Sequence, residues 1–203
     1  KSDIDIKIVL EEVSNTSFNF NTLSKFFQKY GFNNLQSKIA GVQNNFIEKN
    51  KNIIIKNSYK TITNEEDLNN IINIIKEIGF FVIDTETDSI KPYNANLIGI
   101  SLSWEAGKAC YIPLAHSENQ NRVSQLKKEI VISTLNPLLI DHSIIKIGQN
   151  LKYDEIVLFS NGFSRIFPLE DTMLMSYTLF AGLHNHNLDF LCNLYLNYEK
   201  IKY

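Results

Sequence analysis

The sequence predicts an α/β domain: a mixed sheet flanked by helices, with a small N-terminal appendage. Two observations carry that prediction. Continuous apolar runs, Phe80-Phe81-Val82-Ile83 above all, read as central strands, and an alternating run, Ile98, Ile100, Leu102 and Trp104, reads as a half-buried one. Between and around them stand helical faces, such as Leu68, Ile71, Ile72, Ile75 and Ile78. The 203 residues, 44% of them hydrophobic, suffice for one core of ordinary domain size and an appended piece.

The appendage covers about residues 1–45. Ile4, Ile6, Ile8 and Leu10 predict a strand; Leu23, Phe26, Phe27 and Tyr30 predict a helix, with Asn21 or Thr22 as its start and Gly31 as its end. Residues 46–58 are rich in Asn and Lys and read as a linker. The main domain spans residues 59–203. Thr63 and Glu66 suggest a capping box for its first helix, which Gly79 ends. The central strand 80–83 follows, expected to be buried on both faces, then strands at 98–104 and 111–114. A helix is predicted near 122–135, a short buried strand at 144–147, and helices near 150–160, 171–180 and 187–197. The order β-β-β-α-β-α gives the mixed sheet.

Charge narrows the function. A net charge of −2 provides no broad cationic face, so contact with nucleic acid is expected to be local. No apolar run reaches a membrane span, and no signal peptide is recognised, so no membrane partner is expected. Cys110 and Cys192 form no C-x-x-C and read as free thiols of a reducing compartment, the cytoplasm.

The chemistry lies where two buried strands end. Phe80–Ile83 runs into Asp84-Thr85-Glu86-Thr87-Asp88. Side chains alternate along a strand, so Asp84 and Glu86 point to one side. Adjacent carboxylates repel and gain protons; a hard divalent cation, Mg²⁺ or Mn²⁺, removes that penalty. A bare D-x-E is more often a solvated turn. A second cluster shifts the balance: Ile144–Ile147 runs into Gly148-Gln149-Asn150-Leu151-Lys152-Tyr153-Asp154, which places Asp154 in the first turn of a helix, where the macrodipole favours an acid. Alone it would be a helix-start residue; two acid clusters at strand ends point to a shared metal site.

These two stretches resemble the first and second motifs of the 3′→5′ proofreading exonuclease domain of bacterial DNA polymerase I. Asp171-Thr172-Met173-Leu174, Tyr111-Ile112-Pro113 and His116 match the same family, and the resemblance covers about residues 59–203. Residues 3–40 more loosely resemble the end of the 5′-nuclease domain that precedes it, best at Phe26–Phe32. The resemblance implies a ribonuclease H-like fold and two divalent metals, one activating water and one stabilising the leaving 3′ oxygen. It implies that Asp84 bridges the metals, Glu86 binds one and Asp154 helps to hold the second. Thr87, Gln149, Asn150 and Tyr153 would lie near the terminal nucleotides, and Ile90 would stand where the family has a leucine that wedges against the 3′ base. The implied partners are a single-stranded DNA 3′ end and the polymerase domain of the same parent chain.

The family's third motif, Tyr-x-x-x-Asp, has no match. Tyr195 and Glu199 carry the wrong acid and come early in the pattern. The expectation is a fragment that stops before that motif, with impaired activity. His184 and Asp189 fit the third motif of histidine-using sister exonucleases, but the run Asn187–Leu191 reads as a structural helix start. His116 and His142 read as surface or loop residues. Two other functions compete: a non-catalytic module that binds DNA ends, and an RNA-trimming relative of the ribonuclease D kind.

Overall fold

In the computed structural model, residues 20–32, 35–36, 57–117 and 124–199 are described. The strand expected at 4–10 and nearly all of the linker fall outside them. The chain divides into two compact units, residues 1–48 with 180–185, and residues 49–179 with 186–203.

In the first unit, α1 (Phe20–Tyr30) ends at Gly31, whose φ of 72° is the left-handed conformation glycine adopts without strain. Asn21 and Thr22 lie inside the first turn rather than at its cap, a place where small polar residues are tolerated. Phe26, Phe27, Tyr30 and Phe32 form a ring cluster, with Phe26 and Tyr30 centroids 4.7 Å apart.

The second unit is a six-stranded mixed sheet in the order β1-β4-β3-β2-β5-β6. Its strands are β1 (Ser58–Thr61), β2 (Phe80–Thr87), β3 (Leu97–Glu105), β4 (Lys108–Pro113), β5 (Ile145–Gly148) and β6 (Leu169–Asp171). The pairs β2–β3 and β3–β4 are antiparallel; β1–β4, β2–β5 and β5–β6 are parallel. Helix α2 (Glu65–Ile78) separates β1 from β2, and α3 (Lys128–Ile140) precedes β5. Helix α4 (Leu151–Ser160) follows β5, α5 (Thr172–Phe180) follows β6, and α6 (Leu188–Leu196) comes last.

The apolar stripe of α2, Leu68, Ile71, Ile72 and Ile75, and that of α3, Val131, Leu135, Leu138 and Leu139, belong to one core with Phe81, Ile83, Ile100 and Leu102. This core lies on one face of the sheet. β2 was expected to be buried on both faces, but it alternates: Phe81 is 0% exposed, and Phe80 and Val82 are 39% and 38% exposed. The first helix also starts differently. Its cap is Asn64, whose Oδ1 accepts from the Asp67 backbone N–H at 2.9 Å, and its Nδ2 donates to the Asp67 carboxylate. The predicted Thr63–Glu66 box is thus displaced by one residue, because Asn is as good a cap as Thr and Asp67 returns its bond. Gly79 ends the helix at φ 83°, as predicted.

Candidate active site

The site begins where β2 outruns β5. Pairing between these strands covers Phe80 to Val82 and stops. Beyond it, Asp84 and Glu86 are exposed and alternate with the buried Ile83 and Thr85. Both acids remain paired to β3, Asp84 opposite Ser101 and Glu86 opposite Gly99. The carboxylates therefore share the face of the sheet opposite the core, as strand geometry requires.

On the side that β5 has left, Asp154 takes over. It is buried in the first turn of α4, and its Oδ1 accepts from the Thr85 backbone N–H at 2.9 Å and from the Thr85 hydroxyl at 2.6 Å. Burial raises its pKa from 3.8 to about 6, the Thr85 bonds oppose that rise, and the charge of Asp84 adds to it. Asp84 and Asp154 thus sense each other electrostatically.

The turn from β5 into α4 is held by Asp171 at the end of β6. Its carboxylate accepts from the backbone N–H groups of Asn150 at 3.1 Å and Leu151 at 2.9 Å, and from that of Met173 at 2.8 Å. One buried acid so caps the starts of both α4 and α5. The turn needs this support because Asn150 sits in the left-handed region, at φ 61°. Gln149 is committed to the same scaffold. Its Nε2 donates to the carbonyl of His186 at 2.9 Å, and its Oε1 accepts from Thr172 at 2.5 Å. His186 is buried, bonded through Nδ1 to the Ser176 hydroxyl at 2.7 Å.

Tyr153 pins the loop after β2. Its hydroxyl bonds the Thr87 hydroxyl at 2.7 Å and donates to the carbonyl of Ser89. Ile90, the next residue of that loop, is 92% exposed. The predicted residues thus fall into two groups: Asp84, Glu86, Thr87, Tyr153 and Asp154 about the end of β2, with Ile90 on the adjoining loop, and Gln149 and Asn150 at the end of β5. Among the described residues, no group of three His, Cys, Asp or Glu side chains is arranged as a metal cage. In donor chemistry the three acids fit Mg²⁺ or Mn²⁺, which prefer carboxylate oxygen.

Sequence reasoning missed three supports. Thr85 and Asp171 act through hydrogen bonds that no spacing encodes. His116 is exposed, as expected, yet its Nε2 lies 2.7 Å from the Tyr111 hydroxyl. The run Asn187–Leu191 forms a helix start, as expected: Asn187 caps α6 by accepting from the Phe190 backbone N–H at 2.8 Å, and Asp189 lies in the first turn of that helix. Neither cysteine forms a disulfide; Cys110 is buried, and burial pushes its thiol up to about 12.

A mixed sheet with paired acids at the end of a central strand and a third acid opening the next helix is built on a ribonuclease H-like fold. The chain belongs to the 3′–5′ exonuclease domain family of DNA polymerase I, and the family profile matches residues 59–203. It is 37% identical over 145 residues to DNA polymerase I of Borreliella burgdorferi, an overlap of 71% of this chain and 15% of that one. To DNA polymerase I of Pseudomonas aeruginosa it is 34% identical over 148 residues, 71% of this chain and 16% of that one. The chain therefore spans about one sixth of the length of these relatives. Among solved structures, ribonuclease D of Escherichia coli superposes with a TM-score of 0.56 at 18% identity, covering 71% of this chain and 35% of that one. A Brucella melitensis NrnC structure with bound Mg²⁺ gives 0.52 at 20% identity, covering 73% and 66%. These likenesses establish the fold.

Proposed function

We propose that this chain hydrolyses the 3′-terminal phosphodiester of single-stranded or frayed DNA, as the proofreading part of a cytoplasmic DNA polymerase I. The observation that carries the reading is the placement of Asp84 and Glu86 at the open end of β2, with Asp154 buried beside them and electrically coupled to Asp84. Asp84, Glu86 and Asp154 would hold two divalent ions, Mg²⁺ or Mn²⁺. Such ions, when bound, supply a water of lowered pKa and stabilise charge on the phosphate and leaving oxygen.

The chain's own residues do the positioning. Asp154 is kept in place by Thr85, and the α4 start that carries it is kept in place by Asp171. Tyr153 holds Thr87 and the Ser89 carbonyl, so the loop presents Ile90 as a rigid apolar wedge for the terminal base. Asn150 and Tyr153 border the path of the last nucleotides, and Gln149 braces the Asn150 turn. The N-terminal unit corresponds in this reading to the tail of a 5′-nuclease domain, and the polymerase domain of the parent is the partner that delivers the strand.

The decisive experiment follows a 5′-labelled single strand with Mg²⁺. Stepwise shortening from the 3′ end is expected, lost in EDTA and lost in Asp84→Ala. The resemblance implies a fourth carboxylate that residues 1–203 do not supply. A longer chain that carries Tyr-x-x-x-Asp should therefore digest faster by several orders of magnitude, since residues of one site act as a unit. Binding of 3′ ends without digestion by either chain would replace this reading with that of an end-binding module.

A further inference from the structure

Next to Glu86 lies a pair of side chains that the mechanism above does not use. Glu86 and Gly99 are direct cross-strand partners, as are Ser101 and Tyr111, so all four residues lie on the face that carries Asp84. The Tyr111 ring leans across Gly99. A Cβ built on Gly99 would lie 2.0 Å from the Tyr111 hydroxyl and 2.3 Å from its Cζ. The phenol thus occupies the space that the missing side chain leaves beside Glu86. Burial raises the pKa of Tyr111, and the negative charge of Glu86 raises it further, a second sign of their proximity.

The phenol is itself held. Its oxygen bonds His116 Nε2 at 2.7 Å. The His116 backbone is clamped by Gln125, whose Oε1 accepts from the His116 N–H at 2.8 Å and whose Nε2 donates to the His116 carbonyl at 3.0 Å. In the tautomer whose Nε2–H donates to the phenol oxygen, the phenol hydrogen is not taken up by His116.

We infer that Tyr111, oriented by His116, is a positioning residue for Glu86, holding that carboxylate ready for a divalent cation. The inference rests on the reading of Glu86 as a metal ligand. Partners that orient a ligand typically contribute 10- to 100-fold in metal affinity, and removal of the Tyr111 hydroxyl should act at the low end of that range.

The test is Mn²⁺ titration of the 203-residue chain, followed by the loss of the free-ion electron paramagnetic resonance signal, together with melting temperatures. Glu86→Gln should weaken Mn²⁺ binding. Tyr111→Phe, which keeps the ring over Gly99, should weaken it roughly 10-fold with an unchanged melting temperature, and His116→Ala should do the same. Gly99→Ala should displace the phenol, lowering both affinity and melting temperature. Gly99→Ala combined with Tyr111→Ala removes that clash and should recover the fold but not the affinity. Normal Mn²⁺ binding by Tyr111→Phe, or by the double variant, alongside weakened binding by Glu86→Gln would overturn the inference and leave the metal reading intact. Normal binding by Glu86→Gln would overturn both.

Discussion

Asp154 answers to two opposed demands. The proposed function asks for a charge, whereas burial opposes one and sets its pKa at about 6 against an ordinary 3.8. The folded state therefore binds the proton more tightly than the unfolded chain does. The contribution to stability is complete below 3.8 and is lost as pH rises through about 6. At neutral pH the ionised acid costs up to about 3 kcal/mol. Asp154→Asn keeps an oxygen for both Thr85 donors without the charge. In EDTA at pH 7.5 it should melt several degrees above the parent, with the gap closing below pH 4, while nuclease activity falls by orders of magnitude. Equal melting temperatures at pH 7.5 would contradict this account. Lys146 shows the converse sign. It is fully buried, its ammonium donates to the carbonyls of Asp141, Ile144 and Phe167, and burial lowers its pKa to about 8. Between about 8 and 10.5 the unfolded chain holds the extra proton, so stability should rise with pH across that window. Lys146→Met strands three carbonyls and should cost about 2–4 kcal/mol at pH 7. Denaturant unfolding at pH 7 and 10 should show the gap between variant and parent widening with pH. The sequence placed Lys146 in a core strand, but its partners are backbone carbonyls of loops, and those have no signature in residue type.

At the scale of elements, Asp171 is the keystone of the site's scaffold. It accepts from backbone N–H groups at the starts of both α4 and α5. A single cap is worth about 1 kcal/mol, and a charged acceptor serving two helices should be worth more. Asp171→Ala is expected to cost about 2–4 kcal/mol, while Asp171→Asn should retain roughly half of that. Urea unfolding of both variants checks it, and equal losses would mean that the charge contributes nothing. This role was invisible in the sequence, where Asp171 served only as part of a family match. The helices themselves were legible: Leu68, Ile71, Ile72 and Ile75 repeat with the helical period and all are buried. β1 and β6 were not, because four and three residues are too few to show a period. The helix expected near 122–135 is found at Lys128–Ile140, with Pro137 inside it and Lys127, which makes no side-chain cap bond, at its start. The run Phe80–Ile83 misled in one respect. Uninterrupted apolarity signals a strand covered on both sides, yet every second residue of β2 is partly exposed, and those residues lead directly to Asp84 and Glu86.

For the molecule as a whole, charge and exposure set how it meets a substrate. The sequence makes the proposed site's acids legible because chemistry restricts residue type there, and its net charge of −2 leads to the expectation of local contact with nucleic acid. Near the site, the exposed lysines flanking the proposed path are Lys91, beside Ile90, and Lys152, in the first turn of α4. With about two phosphates neutralised, the slope of log affinity against log salt for a single strand should be near −1.4. Affinity must then come from stacking and wedging, worth roughly 1–3 kcal/mol per base, and in the proposed reading Ile90, 92% exposed, is the wedge. A duplex end cannot use these contacts until its terminal pair opens, which costs a few kcal/mol and less when the pair is mismatched. Single strands and mismatched ends should therefore bind more tightly than matched blunt duplexes, by about 10-fold or more. Fluorescence anisotropy in Ca²⁺, with oligonucleotides of matched length at several salt concentrations, measures both quantities. Ile90→Ala should narrow the preference while leaving the salt slope unchanged, because it removes a wedge and no charge. A slope several times steeper, with equal affinity for duplex, would identify a surface that grips the backbone of double-stranded DNA in place of a site that edits a frayed 3′ end.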